Sequence, residues 1–389
     1  MSTPTYLRKM IAKVYQDILK NELGHSAYLL LMLVVSSLQL LKQVKLEILA
    51  EALPLPILFE SRRKKLRRFL RLESLSIETL WLPCAKRLLE TLFQPNDKVY
   101  LAIDRTGWGL INILMVSVIC DGRAWPLYWR FLDKQGNSNL GEQQAVLGPS
   151  LKLLSGYLPI VLGDREFCSP KLGNWLGQQD AYFCLRLKCD TKIKQYDGFY
   201  QELREANLTP GMKVFLNDHQ VTQQRGLSTF NIACKWKRTY RGFKTKEPWY
   251  ILTNFEDLDT AIRAYQKRFS IEEMFRDFKA GGYSLEGSGL SSERLSVLMI
   301  AIAIAYTSAM LQGRRIKQMG IQKYVARPES ASQGQRRHSA FYLGQHLHHW
   351  LNLYHLCQET LQELLHINRR WRHHYQAGQR AIELALSTF

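Results

Sequence analysis

The segment AYQKRFSIEEMFRDFKAGG, residues 264–282, places a carboxylate on the same predicted helix face as cationic and phenolic side chains. The four polar residues that recur are Tyr265, Arg268, Glu272 and Lys279. On a uniform helix they lie at about 0, 300, 340 and 320° around the axis, within a stripe about 60° wide. Such a face could offer a metal-binding carboxylate between two cations that hold phosphate oxygens.

Two aspartates upstream stand in strand-like apolar runs. Asp104 lies inside KVYLAIDRT, and Asp164 directly follows PIVLG. Residues 98–133 predict a three-strand antiparallel meander with turns at Gly107–Gly109 and at the Asp121–Gly122 dipeptide. A helix, the strand ending at Asp164, a second helix and the strand 181–188 follow. This order is typical of a ribonuclease-H-like fold, a mixed α/β sheet with helices on both faces.

In that fold Asp104 and Asp164 would lie side by side on neighbouring strands, and Glu272 would be the third carboxylate. Three acidic oxygen donors are what Mg²⁺ prefers, and two such ions can promote an in-line phosphodiester displacement. Each acid alone is weaker evidence, because an aspartate at a strand end is often a cap and a glutamate on a helix is often a solvated charge.

The spacing of these residues resembles a known family. Tyr265, Arg268, Glu272 and Lys279 reproduce Y-x2-R-x3-E-x6-K, the signature of DDE transposases of bacterial insertion sequences of the IS-four type. The runs AIDRT, VLGDREF and WYILTN look like the strands of that family that carry the first Asp, carry the second Asp and precede the signature. The resemblance covers residues 98 to about 280.

The resemblance implies specific roles. Asp104, Asp164 and Glu272 would be the catalytic triad that binds two Mg²⁺ ions, with Mn²⁺ able to substitute. Tyr265, Arg268 and Lys279 would contact DNA phosphates. Family members cleave DNA at the element's ends, several of them through a hairpin intermediate, and join the 3′-hydroxyl to target DNA.

Two further positions keep alternatives open. Trp249 occupies the place of a tryptophan that helps to hold a flipped base in hairpin-forming relatives; a core aromatic is the other interpretation. Glu166 stands where the family often has glycine, so it brings an additional carboxylate near the site and leaves a supporting role open.

The charge favours a polyanionic partner, since 53 Lys and Arg against 34 Asp and Glu give a net charge of +19. Nucleic acid fits better than an anionic membrane, because the basic residues are spread over the whole chain. The densest basic cluster predicts a phosphate-contacting helix, or alternatively a solvated basic face. Its residues are Arg62, Arg63, Lys64, Lys65, Arg67, Arg68 and Arg71.

Changes in composition and hydrophobic pattern along the sequence predict five regions. They are a helical DNA-binding domain (1–95), the first segment of the catalytic core (96–188), an inserted β subdomain (189–248), the second segment of the core (249–325) and a helical C-terminal region (326–389). Within the insertion, MKVFLN and TFNIACKWK predict strands, and the basic, aromatic stretch 226–249 predicts DNA contact or, equally, an exposed β-ribbon.

Other features narrow the class of protein. The seven cysteines form no CxxC pair, and MSTPTYLRKM lacks the pattern of a secretory signal, so we expect a cytoplasmic, DNA-associated bacterial protein. The apolar runs 27–41 and 295–311 predict core helices rather than membrane spans. His346, His348 and His349, with His355 and Cys357, could bind zinc, but surface and core histidines are the simpler interpretation.

The sequence therefore predicts a transposase that binds the terminal inverted repeats and the target as double-stranded DNA, as a homodimer in the synaptic complex. Two alternatives remain open. One is a DNA-binding protein that descends from a transposase and no longer cleaves. The other is a metal-dependent nuclease that cuts DNA without joining it.

Overall fold

The computed structural model describes residues 11–195, 198–221, 228–240, 243–328, 338–367 and 369–387. The chain divides into two compact units. One is helical and combines Met1–Arg87 with Asp277–Phe389; the other, Leu88–Arg276, contains the large sheet. The division of the sequence into five regions stays a prediction beside these two units.

Eight strands within the described residues form one mixed sheet. They are β1 (Lys98–Trp108), β2 (Ile111–Cys120), β3 (Arg123–Phe131), β4 (Leu158–Gly163), β5 (Tyr182–Arg186), β8 (Lys213–Gln220), β9 (Thr229–Lys235) and β12 (Trp249–Thr253). Their order in the sheet is β3-β2-β1-β4-β5-β12-β9-β8. β1 is antiparallel to β2 and parallel to β4, β5 is parallel to β4, and β12 is antiparallel to β5. This is the ribonuclease-H-like arrangement predicted from the sequence.

The meander forms because its strands are apolar and its turns accept positive φ. β2 is buried over almost its whole length, as expected of a strand with a neighbour on each side. Asp121 and Gly122 connect β2 to β3 with φ of 51° and 72°, and Cys120 pairs with Arg123. Two consecutive positive φ values are the pattern of a type I′ hairpin, so the predicted turn is confirmed.

Helices of the unit that contains the large sheet pack on that sheet and hold the connections between its strands. α6 (Leu140–Leu153) packs on β2 and β3, α7 (Pro170–Gln178) on β5, and α8 (Leu258–Gln266) on β12, β9 and β5. A capping box starts α6: Asn139 Oδ1 accepts from Glu142 N at 2.9 Å, and Glu142 Oε2 accepts from Asn139 N at 2.6 Å. The connection before α6 is thereby fixed.

The inserted segment extends the main sheet. Its predicted strands are confirmed as β8 and β9, and β9 pairs with β12 antiparallel. The apolar residues Ile232 to Cys234 of β9 are buried, which favours a place inside the sheet. The described residues of the insertion also form two small antiparallel strand pairs: β6 (Lys192–Lys194) with β7 (Tyr200–Glu202), and β10 (Thr239–Tyr240) with β11 (Phe243–Lys244). Residues 226–227 and 241–242 of the predicted DNA-contacting stretch lie outside the described residues.

The helical unit is built around α10 (Ser292–Gln318), which packs on α2 (His25–Leu41) and α12 (Ala340–Leu356). Polar contacts join its N-terminal and C-terminal segments. Tyr15 Oη donates to Thr307 Oγ1 at 2.9 Å, and Gln39 Nε2 donates to the Ala305 carbonyl at 3.2 Å. The N-terminal helices therefore share a core with the C-terminal ones.

The remaining α-helices of the described chain are α1 (Lys13–Glu22), α3 (Leu46–Ala52), α4 (Phe59–Phe69), α5 (Leu82–Leu92), α9 (Ser270–Phe278), α11 (Gln322–Val325), α13 (Gln358–Ile367) and α14 (Arg372–Leu386).

α10 is the one described helix that is long and apolar enough to cross a membrane by itself. Inside the protein, 83% of its most apolar window is buried, as in a core helix. α2 reaches the same criterion only together with α3, and that pair is bent by 104°.

Candidate active site

Asp104 and Asp164 lie at the same edge of the sheet because their strands are neighbours. The parallel pairing of β1 with β4 ends at Ile103 opposite Gly163, so each aspartate directly follows the last residue of this pairing, although β1 itself continues to Trp108 alongside β2. Asp104 Oδ1 accepts from Arg105 N at 2.8 Å, and Asp164 Oδ1 accepts from Glu166 N at 2.9 Å. The backbone thus orients both carboxylates, and the predicted juxtaposition of the two strands is present.

Arg268 links Glu272 to Asp104. Its Nη1 donates to Asp104 Oδ2 at 3.3 Å, and its Nη2 donates to Glu272 Oε1 at 2.5 Å. The guanidinium is 6% exposed, whereas the Glu272 side chain is 46% exposed. A buried cation therefore bridges the first and third acids of the predicted triad.

The helix that carries these residues is interrupted, so the prediction of one uniform helix is wrong. α8 ends at Gln266, a 3₁₀ turn spans Lys267–Phe269, and α9 begins at Ser270. The angles calculated at 100° per residue do not hold through a 3₁₀ turn, which has 3.0 residues per turn. The tighter turn directs Arg268 inward, while Glu272 stays at the surface.

Burial raises the pKa of Asp104 to about 7. The Arg268 guanidinium opposes this shift, while the Asp164 and Glu272 carboxylates add to it. For Arg268, burial lowers the pKa, but the Tyr265, Asp104 and Glu272 side chains outweigh burial and the net shift is upward. The three carboxylates outnumber the one Arg268 guanidinium, so an additional cation would be stabilised beside them.

The donor set fits a hard divalent cation by its chemistry, since all three groups are carboxylates. Among the described residues, no three His, Cys, Asp or Glu side chains are close enough together to hold one ion. Instead, the guanidinium supplies the positive charge between Asp104 and Glu272. Asp104, Asp164 and Glu272 are the residues that would hold a metal ion, and Arg268 would then have to release Glu272.

The raised pKa of Asp104 predicts a stability that falls with pH in metal-free solution. The folded protein keeps this proton up to about pH 7, whereas the usual aspartate loses it near 3.8. Since the folded state binds more protons in this window, the free energy of unfolding decreases as pH rises through it. We expect Asp104→Asn to be more stable than the parent by about 1–3 kcal/mol at pH 8, with little difference at pH 4. Urea unfolding in EDTA at pH 4 and pH 8 measures the free energy of unfolding of both proteins. The same difference between variant and parent at the two pH values would contradict the prediction.

Tyr265 is fully buried beside two arginines. Burial raises its pKa, and the guanidiniums of Arg268 and Arg186 oppose this shift. Arg186, on β5, donates to Glu247 at 2.9 Å, and Arg165 forms an ion pair with the same carboxylate. The sequence patterns did not point to Arg165, Arg186 or Glu247. A signal for Arg186 was available, because it is an arginine at the end of an apolar strand.

Trp249 is 6% exposed in this structure. Its ring meets Tyr265 edge-on at 5.2 Å between centroids, and Lys237 Nζ lies 4.6 Å from its ring centroid. Trp249 thus packs as a buried aromatic next to Tyr265. The flipped-base role stays a prediction.

Lys279 follows the end of α9 and belongs to the helical unit. There its Nζ forms an ion pair with Glu286 Oε1 at 2.8 Å. The predicted phosphate contact of Lys279 remains a prediction.

The basic cluster lies on helix α4, apart from Arg71, which follows the helix, and its residues differ in exposure. Arg62 donates to the carbonyls of Leu53 and Glu51, and Arg63 pairs with Glu47 at 3.3 Å, so these two arginines stabilise the fold. Arg67 is half-buried; Lys64, Lys65, Arg68 and Arg71 are exposed. The exposed group is the portion of the cluster that can meet phosphates.

The described histidines of α12 are not grouped as three ligands of one ion. His348 is fully buried, and burial lowers its pKa to about 3. Together with the lack of a three-ligand group in the described residues, this supports the simpler interpretation as core and surface histidines.

Comparison with known proteins finds a matching family model for the central segment of the chain. Residues 131–308 match the family model described as the transposase DDE domain, which supports a DDE transposase. The match contains Asp164 and Glu272, while Asp104 precedes it. No curated protein matches the chain. Among solved structures, a cryo-EM structure of the piggyBac transposase synaptic complex with hairpin DNA is similar at a TM-score of 0.40 and 11% identity, covering 89% of this chain and 77% of that chain. At this TM-score the likeness supports no comparison of individual residues.

Proposed function

We propose that this protein is a Mg²⁺-dependent DNA transposase of the IS-four type, which cleaves DNA at transposon ends and joins the 3′-hydroxyl to target DNA. One observation carries the proposal. Asp104 and Asp164 each directly follow the last residue pair of the parallel pairing between β1 and β4, and Arg268 connects Asp104 to Glu272. Two of these three acids lie in the segment that matches the transposase DDE domain.

The residues of the site have distinct tasks in this reaction. Bound divalent ions would promote attack on the scissile phosphodiester and stabilise the leaving oxygen, and Asp104, Asp164 and Glu272 would hold them. Arg268, once a divalent cation replaces its charge beside Asp104, is available to bind a phosphate oxygen. Tyr265 and Lys279 are proposed as further phosphate contacts, and the hairpin intermediate with a base held by Trp249 stays within the proposal.

Binding of the inverted repeats is assigned to the exposed cations of α4. Lys64, Lys65 and Arg68 are exposed on one short helix, where their mutual repulsion is relieved by an anionic partner. We propose the synaptic complex as a homodimer with double-stranded DNA, in the bacterial cytoplasm.

Replacing Lys64, Lys65 and Arg68 together by alanine is expected to weaken binding to DNA of any sequence. The loss of three phosphate contacts reduces the steepness of the negative slope of log K against log salt by up to about 2.7. Fluorescence anisotropy of labelled DNA over a salt series measures both effects. Arg62→Ala is the matched control on the same helix: since Arg62 donates to the Leu53 carbonyl, it should affect stability and leave the salt slope unchanged. An unchanged slope in the triple variant would contradict the assignment.

Cleavage of the element's own end DNA tests the function. The purified protein should cut a duplex that contains the inverted repeat in Mg²⁺ or Mn²⁺, and it should join a pre-cut end to a target plasmid. Binding without cleavage in either metal would favour the DNA-binding alternative. Cleavage without joining of the pre-cut end would favour the nuclease alternative.

A further inference from the structure

A network of hydrogen bonds and one ion pair joins the chain segments that carry Asp104 and Asp164. Arg105 directly follows Asp104, and Glu166 stands two residues after Asp164. Arg105 Nε donates to Glu166 Oε2 at 2.9 Å and to Oε1 at 3.2 Å. The Glu166 side chain is 10% exposed and that of Arg105 is 24% exposed, so water screens this ion pair only weakly.

The same network fixes the connection between β3 and α6. Ser138 donates to Glu166 Oε1 through both its backbone N and its Oγ, each at 2.7 Å. Arg105 also donates to Asn112 at 3.2 Å and to Asn137 at 3.3 Å. Asn112, which is 4% exposed, donates in turn to the carbonyls of Lys134 and Gly136. Three separate chain segments therefore meet at one carboxylate and one guanidinium.

The direction of the side chains separates Glu166 from the metal ligands. Asp104 and Arg105 are consecutive residues of β1, so their side chains point to opposite faces of the sheet. Glu166 pairs with Arg105 and thus lies with it, away from the Asp104 carboxylate. Its oxygens accept from Arg105 and Ser138, which leaves little capacity for a metal ion.

We propose that Glu166 and Arg105 are positioning residues, a clamp that holds β1 at Asp104 and the segment after β4 so that Asp104 and Asp164 bind the same divalent ion. The clamp acts through the backbone, since each of its residues lies within two positions of an aspartate. This inference rests on the proposed function, because it assigns metal binding to the two aspartates.

Manganese binding, measured by the EPR signal of free Mn²⁺, tests the clamp without relying on activity. We expect Glu166→Gln to weaken Mn²⁺ binding about tenfold or more, because the loss of hydrogen bonds that orient metal ligands has an effect of this size. The Mn²⁺ concentration for half-maximal cleavage should rise equally, while the rate at saturating Mn²⁺ should change less than about threefold. Hydrogen exchange in residues 134–139 should become faster, because Ser138 N loses a charged acceptor.

Two variants make the test specific. The exchanged pair Arg105→Glu with Glu166→Arg should recover at least some of the Mn²⁺ affinity, which it could not do if Glu166 were itself a ligand. Glu142→Gln is the matched control, because Glu142 caps α6 and pairs with Lys134 in the same connection without touching Arg105. It should leave Mn²⁺ affinity unchanged. Thermal unfolding in EDTA establishes that each variant is folded.

The outcomes separate the two proposals. If the parent binds Mn²⁺, Asp104→Asn loses this binding and Glu166→Gln retains it, the clamp is overturned and the proposed function stands. If Asp104→Asn binds Mn²⁺ as tightly as the parent, the proposed function itself fails. A Glu166→Gln variant that loses rate at saturating metal with an unchanged Mn²⁺ dependence also overturns the clamp.

Discussion

Replacing Asp164 by Asn or Glu272 by Gln is expected to lower the rate of DNA-end cleavage at least about a thousand-fold. A carboxamide keeps the size of the side chain but removes the charge that would hold a divalent ion in the proposed site. Metal ions contribute several kcal/mol of transition-state stabilisation, and about 4 kcal/mol corresponds to a factor of about a thousand in rate. Single-turnover cleavage of end DNA in Mg²⁺ measures this.

Glu273→Gln is the matched control for Glu272. Glu273 is the next residue of α9 and pairs with Arg123 at 3.6 Å rather than with the guanidinium of Arg268. Its variant should cleave at nearly the parental rate. Asp104→Asn should be inactive although it is at least as stable as the parent at pH 8, so unfolding cannot explain its loss of activity. A Glu272→Gln variant that cuts as well as the parent would exclude Glu272 from the triad.

Introducing a side chain at Gly344 is expected to destabilise the helical unit by about 3 kcal/mol or more. A methyl group there would overlap the carbonyl of Ala309 on α10, and one at Gly313 would overlap the carbonyl of Ala340. These atoms belong to backbone, which cannot rotate away as a side chain can, so α10 and α12 would have to separate. Urea unfolding of Gly344→Val measures the loss.

Gly378→Ala is the control for a glycine inside a helix. Gly378 lies within α14, and a Cβ there meets no atom within 4 Å. Without a clash, alanine should stabilise the protein by up to about 1 kcal/mol through its helix propensity. A Gly344→Val protein as stable as the parent would contradict the close packing of α10 on α12.

Local patterns were sufficient to predict the strands that carry two of the three acids. Apolar runs placed β1 and β4, and the Asp121–Gly122 dipeptide placed the hairpin between β2 and β3, because each depends on neighbouring residues only. Once the order of elements suggested a mixed sheet, the neighbouring positions of Asp104 and Asp164 followed from the pairing of parallel strands.

Contacts between distant segments could not be predicted in this way. The bridge from Arg268 to Asp104 spans 164 positions and depends on a 3₁₀ turn that the helical spacing does not reveal. The addition of β9 to the main sheet is equally nonlocal, since strand propensity does not specify a partner. Glu166 was noticed as an additional carboxylate, but its pairing with Arg105 follows only from the packing of three segments.

Anomalous diffraction from crystals of the protein bound to its end DNA and soaked in Mn²⁺ tests the central claim most directly. We predict a peak about 2.1 Å from carboxylate oxygens of Asp104 and Asp164, with the Arg268 guanidinium withdrawn from Asp104. A fully loaded crystal with no anomalous density at coordination distance from either aspartate would contradict the account.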